Sequence, residues 1–193
     1  RGPLMERGRS MRIVAARGTM NIAGFLMTIP EFCVAVKTDP DRVHRLLNKT
    51  TELVIRWLEA QAEAAGEIGG ILLLDDICGF FSEEEYLEFA HPRLKRIFDH
   101  FSVPVKMFHN DNFGNRYTTF PHIADLGVNL FNFSFQAELG EAARLLGPKV
   151  AILGNLPPLE LLTRGTPEEI AEAVNAQLDS RPANCRLMLS TGG

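Results

Sequence analysis

The sequence lacks the cysteine content of a disulfide-stabilised protein. Its three cysteines, Cys33, Cys78 and Cys185, are odd in number, widely spaced and set among apolar residues. No two of them have the spacing of a zinc knuckle, so paired cysteines do not predict a structural zinc site. We therefore expect buried free thiols in a reducing compartment and a cytoplasmic protein.

The chain also lacks an excess of basic residues and any long apolar run. Its 20 Lys and Arg residues are outnumbered by 24 Asp and Glu, which gives a net charge of −4. Nucleic-acid-binding domains commonly carry a basic stripe, and a membrane-spanning helix needs about 20 apolar residues. Neither feature is present, and no signal peptide is visible. We expect a partner that is neither nucleic acid nor membrane.

What is present is the composition of one globular domain, with 46% hydrophobic and 23% charged residues over 193 positions. Six short apolar runs predict strands, at residues 12–16, 70–74, 103–108, 128–131, 149–153 and 185–189. Helical patterns lie between them, at residues 22–36 (with a break at Pro30), 38–65, 82–101, 117–126, 136–146 and 166–179. This alternation predicts an α/β fold with a parallel sheet and helices outside it.

Two architectures fit six strand–helix units. A closed barrel needs eight strands, so six would be a partial barrel. A doubly wound open sheet is the alternative, but no G-x-G-x-x-G sequence follows the first strand. The chain begins at Arg1 without an initiator Met and stops in a glycine turn, so we expect a fragment of a longer protein.

Polar residues or glycines follow every predicted strand. The most polar of these strand ends is His109-Asn110-Asp111-Asn112, directly after an apolar run. The others are Arg17-Gly18, Asp75-Asp76, Asn132-Phe133-Ser134, Gly154-Asn155 and Ser190-Thr191. Ligands bind at the carboxyl ends of parallel strands, so these residues are expected to share one cavity.

The residues alone leave several roles open. His109 and Asp111 are interpreted as metal ligands, as an acid–base pair, or as a strand-end hydrogen-bond network. Alternation along a strand sends one of Asp75 and Asp76 towards the cavity and the other towards the helices. Two neighbouring carboxylates can raise the pKa of one of them and make it a general acid. Asn155 either fixes its own loop or contacts ligand.

Several segments resemble the uroporphyrinogen decarboxylase superfamily, in matching order over nearly the whole chain. Gly18–Ala23 resembles the family's Gly-Pro-x-Thr-Leu-Ala segment, and Gly154–Pro158 resembles its Gly-Asn-Leu-Asp-Pro turn. Further resemblances lie at residues 38–43, 64–66, 75–79 and 166–169. The resemblance implies a (β/α)8 TIM barrel, of which six of the eight β/α units, the third to the eighth, are present.

The resemblance also implies departures from the decarboxylases. Their arginine-rich clamp and central aspartate belong to the two absent strands. Their tyrosine falls on Phe25, their serine on Asp76 and their final-turn histidine on Thr191. A pocket for a substrate with eight carboxylates should not gain an aspartate. Arg17, Asn21, Asn132 and Asn155, which lie at or near the predicted strand ends, are predicted to bind substrate together with Phe25 and Thr191.

The other branch of the superfamily contains corrinoid-linked methyltransferases, some with zinc bound by His-x-Cys and a last-loop cysteine. Here the corresponding residues are His109-Asn110-Asp111, so Asp111 stands where the cysteine of the His-x-Cys pair would be. The position of the last-loop cysteine falls at or just beyond Gly193. We narrowly favour metal-assisted methyl transfer with a corrinoid-protein partner, with zinc held by His109, Asp111 and one of Asp75 and Asp76. Cofactor-free uroporphyrinogen decarboxylation in porphyrin biosynthesis is the first alternative, and a non-catalytic barrel fragment is the second. Open sheet edges would also favour a homodimer.

Overall fold

A computed structural model of the protein describes residues 11–112, 114 and 117–192. Its centre is one sheet of six parallel strands in the order β1-β2-β3-β4-β5-β6. The strands are β1 Ile13–Arg17, β2 Gly70–Leu74, β3 Val105–Asn110, β4 Leu130–Phe133, β5 Ala151–Leu156 and β6 Leu187–Thr191.

Helices connect the strands. They are α1 Thr19–Met27, α2 Ile29–Thr38, α3 Pro40–Ala65, α4 Glu83–Glu85, α5 His91–His100, α6 Leu139–Leu146 and α7 Pro167–Ser180. A π-helical turn at Tyr86–Ala90 joins α4 to α5, and another lies at Pro158–Thr163. Short 3-10 turns follow β2 at Asp76–Phe80 and precede β4 at Phe120–His122.

The strand order decides between the two predicted architectures. Each strand pairs with the next one along the chain, so the sheet winds in one direction. A doubly wound sheet reverses its strand order at a switch point, and this sheet does not. Within the described part of the chain, β1 and β6 do not pair with each other. The predicted partial barrel with six β/α units is confirmed.

The two faces of the sheet are buried to different degrees. Side chains that face the helices are buried, among them Val14, Ile71, Phe108, Phe131 and Ile152. Side chains that alternate with them are half-buried, such as Leu72, Met107, Leu130 and Leu153. A closed barrel packs its inner face with side chains from all eight strands. Six strands therefore leave that face partly open.

Sequence signals placed most helix starts correctly. Asp39 accepts a hydrogen bond from the amide of Arg42 and caps α3, and Gly66, with φ of 78°, ends it. Ser82 with Glu85 forms a reciprocal capping box, and so does Thr166 with Glu169.

The break predicted at Pro30 within residues 22–36 is confirmed, with the boundary two residues earlier. The chain turns at Thr28, where φ is 68°, and Pro30 stands in the first turn of α2. One helix prediction needs correction. The helix predicted over 117–126 is wrong, since only Phe120–His122 forms a helical turn there. Pro121 has no amide hydrogen to continue a helix, and buried Phe120 and Ile123 hold the segment by packing instead.

The last four strands run beyond the ends predicted for them. β3 ends at Asn110, β4 at Phe133, β5 at Leu156 and β6 at Thr191. His109, Asn132 and Asn155 consequently lie within strands rather than after them. The predictions stopped at the first polar residue, but backbone pairing continues wherever a neighbouring strand supplies partners.

Among the described helices, none is by itself long and apolar enough to cross a membrane. α1 and α2 meet the criterion only as a pair, and they are bent by 104° relative to each other. Cys33, Cys78 and Cys185 are free thiols, of which Cys78 is buried and the other two are partly buried.

Candidate functional site

Polar side chains from neighbouring strands meet at the carboxyl end of the sheet. The strand register places Arg17 beside Leu74, Leu74 beside His109, and His109 beside Asn132. Residues in register in a parallel sheet share one face, so Arg17, His109 and Asn132 project from the same inner face. The cluster described below is built around this row.

Asp76 is the centre of the cluster. Its Oδ1 accepts a hydrogen bond of 2.9 Å from the backbone amide of Asp111 and lies 3.5 Å from Nε2 of His109. Its Oδ2 lies 3.5 Å from a guanidinium nitrogen of Arg17 and 3.5 Å from Nδ2 of Asn21. The Asp76 side chain is about one-third exposed. The carboxylate of Asp76 therefore faces both a guanidinium and an imidazole at this open position.

His109 lies between Asp76 and Asn132. Its Nδ1 is 2.6 Å from Oδ1 of Asn132, while its Nε2 faces Asp76. The side chain is 18% exposed and borders the open face of the sheet. The imidazole is thus held from both sides, yet its Nε2 edge can exchange a proton with a molecule at this face.

Asn132 joins the ends of several strands. Its Nδ2 donates hydrogen bonds to the carbonyl oxygens of Leu153 (2.5 Å) and Thr191 (3.0 Å). Its Oδ1 faces His109. One buried amide therefore connects β3, β4, β5 and β6 at the level of the cluster.

Asp75 has a different position from Asp76. It is fully buried, and its carboxylate accepts hydrogen bonds from the backbone amides of Met20 (3.0 Å) and Asn21 (2.8 Å). Burial raises its pKa to about 7, although these two amides and Cys78 oppose the increase. Asp75 therefore holds the first turn of α1, and substrate at the open face has no access to it.

Asn21 connects this buried carboxylate to the cluster. Its side-chain Oδ1 accepts a hydrogen bond from the amide of Ile77 (2.9 Å), and its Nδ2 donates to the carbonyl of Leu74 (3.2 Å). Since its backbone amide is bonded to Asp75, Asn21 links α1 to the chain on both sides of Asp76.

Asp111 stands beside the cluster at the end of β3. Its backbone amide is bonded to Asp76, and its side chain is partly buried. Burial raises the pKa of its carboxyl, His109 lowers it, and the charge of Asp76 raises it. A carboxyl that keeps its proton more readily than usual can act as an acid.

The other predicted site residues do not join the cluster through their side chains. Phe25 lies on α1 and is 63% exposed. Asn155 donates to the carbonyl of Ala137 (2.7 Å) and accepts from Nε2 of Gln177 (2.7 Å), so it contacts the helical layer. Thr191 contributes its backbone carbonyl to Asn132.

The predicted zinc ligands do not assemble. Among the residues with described positions, no three His, Cys, Asp or Glu side chains are placed to hold a metal ion. The carboxylate of Asp75 is hydrogen-bonded to the first turn of α1, and Nδ1 of His109 faces Asn132, so neither is free to bind a metal. The positive charge of Arg17 beside Asp76 would repel a metal cation. The position implied for a last-loop cysteine, at Gly193, lies outside the described residues. These residues by themselves do not fit a zinc site.

Sequence reasoning missed the pairing of His109 with Asn132. One signal could have found it, since Met107-Phe108-His109 and Leu130-Phe131-Asn132 share the order apolar, phenylalanine, polar. Aligning the two phenylalanines gives the observed register, and their rings stack with centroids 5.7 Å apart. The pattern is short, however, and neighbouring one-residue shifts look similar in sequence.

The chain is similar to known proteins over most of its length. The family model described as "Uroporphyrinogen decarboxylase (URO-D)" matches residues 6–192. The uroporphyrinogen decarboxylase of Dechloromonas aromatica is 31% identical over 161 residues, which cover 79% of this chain and 43% of that protein. The methylated-thiol–coenzyme M methyltransferase of Methanosarcina mazei is 26% identical over 151 residues, covering 77% of this chain and 40% of that protein.

A solved structure shows the same fold. The "methyltransferase from Methanosarcina mazei" superposes with a TM-score of 0.78 at 20% identity, over 98% of this chain and 55% of that one. At this identity the likeness concerns the fold alone. The chain spans about two-fifths of the length of the curated relatives it matches.

Proposed function

Because this chain belongs to the uroporphyrinogen decarboxylase (URO-D) family, we propose that Arg17, Asp76, His109 and Asp111 are part of the active site of an enzyme acting on or with a tetrapyrrole. Within the family we propose methyl transfer in partnership with a corrinoid-carrying protein. The observation that carries the proposal is the contact of Asp76 with His109 at the open face of the sheet. Active sites of α/β barrels lie at this carboxyl end.

The Asp76–His109 pair supplies acid–base chemistry that methyl transfer needs. A thiol that accepts a methyl group loses its proton to a base, whereas a corrinoid that gives up its methyl group takes no proton. In the opposite direction, a thiolate or alkoxide that leaves a methyl donor gains a proton. His109 can take or give that proton at Nε2, and the carboxylate of Asp76 stabilises the imidazolium. Arg17 lies on the same face and offers a guanidinium to an anionic group of the substrate.

A corrinoid on the partner protein would supply or receive the methyl group. Three apolar side chains in the segments after β1 and β2 could contact such a ring system, because Phe25, Leu26 and Phe80 expose more than half of their surface. These three residues follow β1 and β2, on the side of the sheet where the cluster lies. The proton transfer proposed here uses only Asp76 and His109, because the described residues of this chain do not by themselves form a zinc site.

Uroporphyrinogen decarboxylation is the second candidate, and one observation favours it. Arg17 lies 3.5 Å from Asp76 and offsets part of the negative charge that a polycarboxylate substrate would meet. Several relatives are also named uroporphyrinogen decarboxylase. In that reaction His109 and Asp76 would protonate the pyrrole-bound carbon after carbon dioxide leaves.

Two assays on the full-length protein test these functions. One measures transfer of the methyl group of methylcobalamin to a thiol, and the other measures conversion of uroporphyrinogen to coproporphyrinogen. We expect methyl transfer, with His109→Gln and Asp76→Asn each lowering kcat by about 100-fold or more. The control is Asn129→Ala, because Asn129 bridges β3 and β4 at the opposite end of the sheet.

The outcomes separate the candidates. Coproporphyrinogen formation that depends on His109 supports decarboxylation and rejects methyl transfer. If His109→Gln and Asp76→Asn both keep full activity in either assay, the Asp76–His109 pair has no role in that reaction. A full-length, folded protein without activity in both assays supports the non-catalytic alternative.

A further inference from the structure

Asn132 uses all of its polar atoms within the protein. Its Nδ2 lies 2.5 Å from the carbonyl oxygen of Leu153 and 3.0 Å from that of Thr191, and its Oδ1 lies 2.6 Å from Nδ1 of His109. The residue is 8% exposed. Its amide therefore has little capacity left for a substrate, although its place at a strand end predicted substrate binding.

The two carbonyl groups determine which way the amide points. A carbonyl oxygen only accepts hydrogen bonds, so the group that faces Leu153 and Thr191 must be the NH2 of Asn132. A flipped amide would place three oxygens against one another in a buried position, which is costly. The Oδ1 of Asn132 must consequently face His109.

This orientation in turn determines the protonation of the imidazole. An amide oxygen has no hydrogen to donate, so the hydrogen bond at 2.6 Å requires that Nδ1 of His109 carry the proton. In the neutral ring Nε2 is then unprotonated, and it faces Asp76 and the open side of the sheet. Nε2 is the nitrogen that can accept a proton from a bound molecule.

We propose that Asn132 is a positioning residue that holds neutral His109 in its Nδ1–H tautomer, so that Nε2 is available to accept a proton at the open face. Without Asn132, the carboxylate of Asp76 is still available to the ring as an acceptor, 3.5 Å from Nε2. The neutral ring would then change to the Nε2–H tautomer and lose its accepting nitrogen at this face. The catalytic consequence rests on the proposed function, whereas the tautomer itself does not.

Nitrogen-15 NMR of the full-length protein tests the assignment. The sequence has five histidines, so two-bond correlations between ring nitrogens and ring hydrogens can be resolved, and a His109→Gln variant identifies the His109 signals. The spectra are recorded at a pH at which titration shows the ring to be neutral. We expect the Nδ1–H pattern in the wild type and the Nε2–H pattern in Asn132→Ala.

A conservative variant and a control sharpen the test. Asn132→Asp keeps an oxygen acceptor for Nδ1 but cannot donate to the two carbonyls, so it should destabilise the protein and retain the Nδ1–H tautomer. Asn129→Ala removes an equivalent amide between β3 and β4 at the far end of the sheet and should leave the His109 spectrum unchanged.

The wild-type spectrum alone decides the proposal if a variant fails to fold. An Nε2–H pattern in the wild type would overturn it, and so would an unchanged tautomer in folded Asn132→Ala. Absence of the predicted enzyme activities from the wild-type protein would instead reject the proposed function and leave the tautomer assignment intact. If the proposed function and the tautomer assignment are both correct, Asn132→Ala should lower kcat on the order of 100-fold. Asn132→Asp should then recover part of that activity.

Discussion

The carboxylate of Asp75 occupies the space that a side chain on Gly18 would fill. A Cβ built on Gly18 overlaps both the Cβ and the carboxylate of Asp75. The absence of a side chain at residue 18 allows β1 and the first turn of α1 to approach β2 closely, so that the amides of Met20 and Asn21 reach Asp75. This contact holds α1 against the strand that carries Asp76.

Gly18→Ala should therefore destabilise the protein. The added methyl group must displace a buried carboxylate with two hydrogen bonds, and overpacking of this kind costs about 1–3 kcal/mol. The free energy of unfolding from urea titration measures the effect. Gly140→Ala is the matched control, because the nearest atoms to its Cβ would be those of the exposed Glu138 carboxylate, from 3.1 Å, and not those of a buried group. Equal stabilities of the two variants would contradict the close packing at Gly18.

Asp75 should make stability depend on pH. Its folded-state pKa of about 7 lies above the ordinary value of 3.8. Between these values the folded chain retains a proton that the unfolded chain has lost. The free energy of unfolding therefore falls as pH rises through this window, by at most about 1.4 kcal/mol per pH unit, and levels off above it.

Asp75→Asn should remove this dependence, because an amide does not titrate in that range. Urea unfolding of wild type and variant at several pH values between about 4 and about 7 measures the difference. The variant should be less stable near pH 4, since its NH2 group faces a backbone amide that needs an acceptor. Parallel stability curves for the two proteins would show that the Asp75 pKa is not raised.

Arg17→Gln should weaken binding of an anionic substrate more than it changes stability. The guanidinium is about half exposed and 3.5 Å from Asp76, and exposed ion pairs contribute only about 0–1 kcal/mol. We expect KM to rise several-fold in whichever assay shows activity, with a small change in the free energy of unfolding. Arg56→Gln, on the exposed side of α3, is the control. An unchanged KM would place the anionic group of the substrate elsewhere.

The 193 residues expressed by themselves should self-associate. β1 and β6 form the two ends of the sheet, and Ile13 and Met188 on these strands are 44% and 56% exposed. Unpaired strand edges with apolar side chains promote pairing between chains. Light scattering measures the molar mass, and Met188→Lys should reduce association more than Leu178→Lys on α7. A monodisperse monomer would contradict this expectation.

The alternation of apolar runs and helical segments was enough to predict an α/β fold with a parallel sheet, and the family resemblance favoured the partial barrel over the doubly wound sheet. Capping residues such as Asp39, Ser82 and Thr166 are local signals, because the bonds they make span only three residues. Where the local signal was ambiguous, prediction failed. The segment before β4 has helical spacing of apolar residues, but Pro121 and the packing of Phe120 prevented a helix.

Alternation along β2 predicted that Asp75 and Asp76 would face opposite sides, but it could not say which one faces the cavity. The contact of Asp75 with α1 resolves this point. It joins residues 54 and 55 positions apart in the chain, and it forms only when α1 folds back over β2.

The sequence by itself determined the strands, most of the helices between them and the presence of polar residues at the strand ends, because each of these depends on neighbouring residues. Only the tertiary structure decided that His109 faces Asp76 on one side and Asn132 on the other. Asn132 is 23 residues from His109, and a shift of one position in the pairing of β3 with β4 would turn its side chain to the opposite face. That register is set by packing across the whole sheet, which no short stretch of sequence contains.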